Sequence, residues 1–80
     1  MPDSSTLAQL PVGRRAVIRA MPTGHSGLTR LREMGLVPGA RVEMVRRAPL
    51  GEPIEIRVRG SNIAMRNREA AFIEISPFVG

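Results

Sequence analysis

The sequence predicts a mainly β fold, a small barrel of about five short strands with one short helix inserted after the first. Three observations carry that expectation. The stretch IEIRVRG, Ile54 to Gly60, alternates apolar and charged residues as a half-buried strand does. A single segment, SGLTRLREMGL from Ser26 to Leu36, repeats apolar residues at helical spacing. Proline and glycine punctuate the rest so closely that the remaining elements must be short. Strands at this density in a short chain favour a closed or nearly closed barrel, because closure protects their edges.

From the N-terminus, STLAQLPVG opens with an N-cap candidate at Ser5 or Thr6 and makes one short turn that Pro11 and Gly13 end. Leu7 and Leu10, three apart, would pin this turn to the body. RRAVIRAM, Arg14 to Met21, carries β-branched Val17 and Ile18 and reads as the first strand, which PTGHSG then breaks. Ser26 is placed to cap the helix, whose apolar stripe is Leu28, Leu31 and Met34. Gly35 supplies a left-handed residue just past the helix end, so that Leu36 packs back on Leu31. Pro38 forbids continuation, and Gly39 turns the chain into ARVEMVRRA, with Val42 and Met44 on one face and Glu43 and Val45 on the other.

PLGEP, Pro49 to Pro53, makes a loop, since prolines at both ends withhold ladder donors. In the strand that follows, Ile54, Ile56 and Val58 point inward, while Glu55, Arg57 and Arg59 point outward. Turn chemistry at Gly60 to Asn62 sends the chain back through IAMR, with Ile63 and Met65 inward. NREAA is long enough for one helical turn. FIEI then closes the sheet, Ile73 and Ile75 on one face, before Pro77 stops pairing.

The 80 residues read as one domain over 1–80 with its core at about 6–75. There is no cysteine, so neither disulfides nor thiolate metal sites staple the fold, and aliphatic packing must hold it. Absent cysteine, and an N-terminus without the basic flank and apolar run of a signal peptide, fit a cytoplasmic protein. No stretch approaches the roughly 18 apolar residues of a membrane span, so direct membrane insertion is not expected.

Net charge is +5, all of the cations being arginine, 12 in number. With a pI near 11.7, a small basic nucleic-acid-binding barrel is an alternative function. Against it, the arginines form no long run, and the chain has no Trp or Tyr and only Phe72 and Phe78 for base stacking. The same shortage of aromatics argues against recognition of proline-rich peptides.

LREMGLVPGARVEMV, APLGEPIEIRVRG and NIAMRNREAAFIEI together resemble the FeoA family of ferrous-iron transport proteins, and TLAQLPVGRRAVI is similar to that family's opening pattern. The likeness runs from about Thr6 to Ile75. Its most specific parts are the corner Gly35, Leu36, Pro38, Gly39 and the loop Pro49, Leu50, Gly51, Pro53, followed by Arg66, Glu69 and Ala70, in that order. The resemblance implies an SH3-like barrel in the cytoplasm, recruited to the inner face of the plasma membrane through a large ferrous-iron transporter, FeoB, which carries a GTP-binding domain. It implies a non-enzymatic accessory or regulatory module of bacterial ferrous-iron uptake. A similar barrel closes the iron-dependent repressors, but this chain has no room for their DNA-reading helices.

Nothing in the residues suggests catalysis. There is no G-x-x-x-x-G-K-[S/T] run to cradle a nucleotide, no cysteine nucleophile, and a single His25 that is part of no sequence-local acid or nucleophile arrangement. His25 with Glu33 or Asp3 is the metal candidate, imidazole and carboxylate being suitable for iron. A metal site generally needs three or more protein ligands, so the expectation is neither metal nor cofactor. An iron-sensing or iron-binding protein holding a divalent transition metal is the remaining alternative. The five methionines read as core filler.

For a partner surface the candidates are Leu36 and Val37 in the corner, Leu50 at the loop tip, and Arg46, Arg47, Arg57 and Arg59 outward on the sheet. Gly35, Pro38, Gly39, Pro49, Gly51 and Pro53 are read as structural. Leu50 leads, because turn chemistry explains the loop around it but not the leucine itself. It either meets a partner or folds under to seal the barrel mouth. The arginines either meet an acidic surface or lie solvated beside Glu43 and Glu55. Leu36 and Leu50 would serve self-association equally well.

Overall fold

The computed structural model describes residues 5–77. Six strands form one antiparallel sheet: β1 (Ser5–Thr6), β2 (Arg15–Ala20), β3 (Arg41–Arg47), β4 (Ile54–Val58), β5 (Ser61–Met65) and β6 (Glu74–Pro77). Their order across the sheet is β1-β6-β2-β3-β4-β5. A 3₁₀ turn at Leu7–Gln9 follows β1, helix α1 (Ser26–Glu33) joins β2 to β3, and a single helical turn, α2 (Asn67–Ala70), joins β5 to β6. No helix among the described residues is long and apolar enough to cross a membrane.

The mainly β architecture with one inserted helix is as the alternation predicts. The sixth strand is the two-residue β1, which pairs with Ile75 and Glu74 and is too short to carry a readable period. The closing strand also lies further along than expected. Ile73 is buried ahead of it, its carbonyl accepting from the Leu7 N–H at 2.9 Å. Pro77 does not stop the pairing but ends β6 opposite Ala16, where its missing N–H costs the ladder one donor at most.

Two bulges bend the sheet around its core, one between Ile18 and Ala20 against β6 and one between Met44 and Arg46 against β4. The alternating inward residues of every long strand therefore meet in one cluster. Ile18, Val42, Met44, Ile54, Ile56, Val58, Ile63, Met65 and Ile75 are all buried, and Leu7, Leu10, Leu28, Leu31 and Leu36 plug it from the turn and the helix. The 3₁₀ turn is pinned by Leu7 and Leu10 as their spacing predicts. Gln9 holds its start by accepting from the Thr6 N–H at 2.9 Å. Methionine fills the core only in part: Met44 and Met65 are buried, whereas Met34 is 43% exposed.

Helix α1 departs from expectation at its start and agrees at its end. The N-cap is His25, with extended backbone, and Ser26 is the first helical residue, so no side chain caps the helix. Met34 is the C-cap, outside the helical stripe, which explains its exposure. Beyond it the Leu36 N–H donates to the Leu31 carbonyl at 3.0 Å and the Gly35 N–H to Arg32 at 3.0 Å, the paired bonds of a Schellman ending. Gly35 has φ +105°, and a Cβ there would lie 3.3 Å from Arg59 Cδ. Gly35→Ala is therefore expected to cost about 1–2 kcal/mol, chiefly for the left-handed backbone. A lower urea midpoint with an unchanged m-value checks this; an unchanged midpoint would contradict it.

Candidate functional site

The loop between β3 and β4 presents the most exposed large apolar side chain among the described residues, Leu50, at 95% exposure. Its exposure removes the alternative that it seals the barrel mouth. The loop beneath it is tightly held. Gly51 donates its N–H to the Ala48 carbonyl at 2.8 Å, and Ala48 donates to the Pro53 carbonyl at 3.1 Å. Glu52 and Gly51 are then tied to α2. The Asn67 N–H donates to Glu52 Oε1 at 2.8 Å, and Asn67 Nδ2 donates to the Gly51 carbonyl at 3.1 Å. Glu52 thus serves a free N–H in the first turn of α2, while Glu69 accepts from the Arg66 N–H at 3.0 Å.

Arg47 joins this brace from below. Its guanidinium donates to the Leu10 carbonyl at 3.1 Å, to the Ala8 carbonyl, and to Asn67 Oδ1 at 3.3 Å. The loop, α2 and the 3₁₀ turn form one hydrogen-bonded unit, and Leu50 rises from it. A leucine on a braced loop loses little backbone freedom on binding, which favours contact energy over ordering cost. Around it Glu52, Arg66, Asn67 and Arg68 line a shallow depression. Chemically the site is an apolar tip with two cations beside it.

The other sequence-derived candidates separate. Leu36 is fully buried against the core and is unavailable to a partner or to self-association; its packing on the helix end accounts for it. Val37 is half-buried and packs on the same core. Arg47 does not lie on the outward face. The bulge at Val45 shifts the register so that Arg47 pairs with inward-facing Ile54, and its guanidinium reaches the turn carbonyls instead. Arg47→Ala is expected to lower stability by roughly 1–3 kcal/mol, because the turn carbonyls lose their donor; thermal and urea unfolding check it, and no change would show that water replaces the arginine.

Arg46 and Arg57 do lie outward. Arg57 is 4.0 Å from Glu43, as the neighbouring carboxylates suggest, and its Nε donates to Asn62 Oδ1 at 3.3 Å. Arg46 stands opposite Glu55. Arg59 is not a strand residue. It and Gly60 form the two-residue turn between β4 and β5, with φ +52° and +80°, and the Arg59 stem lies against Gly35. Leu50 and Arg59 consequently occupy opposite ends of β4. The cations beside Leu50 are Arg66 and Arg68, which nothing in the local sequence marks as partner residues. Their proximity depends on the bond from Asn67 to Glu52, 15 residues away, which no local pattern encodes.

The metal candidates are not brought together. His25 and Glu33 stand at opposite ends of α1, about 12 Å apart along the axis at 1.5 Å per residue. The His25 ring instead contacts Phe72, centroids 4.6 Å apart. Asp3 lies outside the described residues. Among the described residues no three of His, Cys, Asp and Glu gather as a metal site would require. Anaerobic titration with ferrous ion is expected to give the same response for the native chain and His25→Ala; a response lost on substitution would contradict this.

Comparison with known proteins places this architecture. The FeoA domain model matches residues 5–77. An Fe(2+) transport protein A/Fe(2+) transporter FeoB fusion protein of Porphyromonas gingivalis is 35% identical over 69 residues, covering 86% of this chain and 8% of the fusion protein. The chain thus corresponds to a small part of that relative. The solution structure of the FeoA protein from Chlorobium tepidum superposes with a TM-score of 0.88 at 36% identity, over 95% of this chain and 72% of that one. Stenotrophomonas maltophilia FeoA, described as a prokaryotic SH3 domain protein and crystallised with zinc, superposes with a TM-score of 0.75 at 33% identity, over 90% and 89%. The barrel is SH3-like.

Proposed function

This chain belongs to the FeoA family, and from that premise we propose that it is a non-enzymatic accessory module of ferrous-iron uptake that docks on the cytoplasmic part of an FeoB-type transporter. The observation that carries the reading is the fusion relative, in which an FeoA segment and an FeoB transporter share one polypeptide. Covalent linkage of two modules supports their association, because a tether acts by raising the local concentration of one at the other.

The docking element is the braced loop. Leu50 enters an apolar pocket on the transporter, and Arg66 and Arg68 meet carboxylates at its rim. A central apolar anchor supplies most of the affinity, while rim charges act mainly on the association rate. Arg57, 4.0 Å from Glu43, and Arg46, opposite Glu55 in the register, contribute less. Any influence on the transporter's cycle then follows from unequal affinity for its conformations. GTP chemistry belongs to the transporter, and the module reaches the inner face of the membrane through it. Pull-down of the transporter's cytoplasmic region by the purified chain, with and without guanine nucleotide, tests this. Retention in at least one nucleotide state is expected; no retention in any state overturns the proposal.

A further inference from the structure

The strand order leaves β5 at one edge of the sheet, and among the described residues nothing pairs with its outer side. The other edge is the two-residue β1, whereas β5 runs for five residues, Ser61–Met65. Proteins usually blunt such an edge with proline, an inward charge or a bulge. SNIAM has none of these, and its pairing with β4 is regular throughout.

The register identifies the open groups. Val58 and Ser61 flank the two-residue turn and form a hydrogen-bonded pair, and such pairs alternate along an antiparallel ladder. Ile56 with Ile63, and Ile54 with Met65, are therefore bonded pairs. Arg57 with Asn62, and Glu55 with Ala64, are not. The N–H and C=O of Asn62 and Ala64 consequently point away from β4, and both residues are exposed. The Asn62 side chain leaves the edge clear, because it lies back over the sheet, donating to Glu55 Oε2 at 2.6 Å and accepting from Arg57. That contact also engages the Glu55 carboxylate, while Glu69 accepts from the Arg66 N–H at 3.0 Å.

We propose that the β5 edge binds an extended acidic peptide segment by antiparallel strand addition, its backbone bonding Asn62 and Ala64 and its carboxylates meeting Arg66 at one end and Arg59, once that side chain's stem swings away from Gly35, at the other. Charge selects this occupant over a second copy of the chain. Self-pairing that used all four groups would set Asn62 against Ala64 of a second copy, and Arg66 against Gly60, next to Arg59. Like charges would then meet at both ends, in molecules that each carry a net charge of +5. An acidic strand reverses the sign of both end contacts. The proposal rests on the edge itself and not on the identity of the transporter.

The probe is acetyl-Glu-Val-Thr-Val-Thr-Val-Glu-amide, whose glutamates fall opposite Arg66 and Gly60 when its threonines face Ala64 and Asn62. Titration into the native chain, followed by amide NMR, is expected to shift and slow the exchange of the Asn62 and Ala64 amides. Ala64→Pro, which removes one edge donor that the fold does not use, is expected to weaken binding at least tenfold. Should that variant not fold, the same loss is expected for the peptide N-methylated at its threonines against the native chain. The peptide with lysine in place of both glutamates should also bind at least tenfold more weakly. Leu50→Ala, which adds no charge beside Arg66, should leave peptide binding unchanged, which separates strand addition from docking through the apolar loop tip; Arg66 borders both sites. Absence of binding, binding without changes at Asn62 and Ala64, equal binding of the N-methylated or lysine peptide, or a concentration-dependent dimer paired through β5 would each overturn the proposal.

Discussion

Leu50→Asp is expected to weaken binding of the transporter's cytoplasmic region by about 2 kcal/mol or more, roughly thirtyfold, while leaving the urea unfolding midpoint unchanged. The physical basis is an asymmetry of environment. At 95% exposure Leu50 contributes almost no packing to the fold, so its replacement leaves the folded state intact. In the proposed complex the same side chain is the apolar anchor, and an aspartate would carry an unpaired charge into a desolvated pocket. The supporting bonds from Asn67 to Glu52 and Gly51 do not involve the leucine side chain, so the loop keeps its shape. Isothermal titration calorimetry alongside urea unfolding separates the two effects. Equal loss of binding and stability would show that Leu50 is structural after all.

The second large effect lies in the core. Ile56→Ala is expected to remove about 2–5 kcal/mol of stability, the usual range for deleting a buried branched side chain. Ile56 is fully buried and stands between Met44 on β3 and Ile63 on β5 in the register of the sheet, both of them buried too. With no disulfide, a domain of 80 residues has only about 4–12 kcal/mol in total. The variant should therefore unfold at a much lower urea concentration, partly unfolded even at physiological temperature. A loss below 1 kcal/mol would mean that the sheet does not close on this residue as described.

Much of the architecture is legible because the relevant physics is local. The alternation in Ile54 to Val58 fixes a strand and its buried face, and Leu31, Gly35 and Leu36 spell out a helix end that the hydrogen bonds reproduce. Local patterns fail where a single residue changes the register. The bulge at Val45 turns Arg47 from the outward face to the turn carbonyls, and nothing in RVEMVRR announces it. Two-residue β1 is equally silent, because a period needs more residues than it has. Arg59 is misread for a related reason: alternation continues through it, but a positive φ makes it a turn residue.

The candidate site was legible only in its most exposed element. Leu50 stands out because loop composition does not require it. Its neighbours Arg66 and Arg68 depend on the long-range bonds that seat α2 against the loop, which is tertiary information. His25 and Glu33 show the converse, since eight positions of helix separate two ligand types that composition alone would group. The open edge of β5 is likewise a property of strand order, which the residues of SNIAM do not reveal.

The central claim is that the braced Pro49–Pro53 loop is where this FeoA-family barrel meets a transporter. Amide chemical-shift mapping of the isotope-labelled chain, titrated with the cytoplasmic region of an FeoB-type transporter, tests it most directly. The account predicts that the largest changes cluster at Leu50, Gly51 and Glu52, extend to Arg66, Asn67 and Arg68, and are small on the outer faces of β2 and β6. Saturable binding with changes confined to other surfaces, or a spectrum unaltered at millimolar partner, would contradict it.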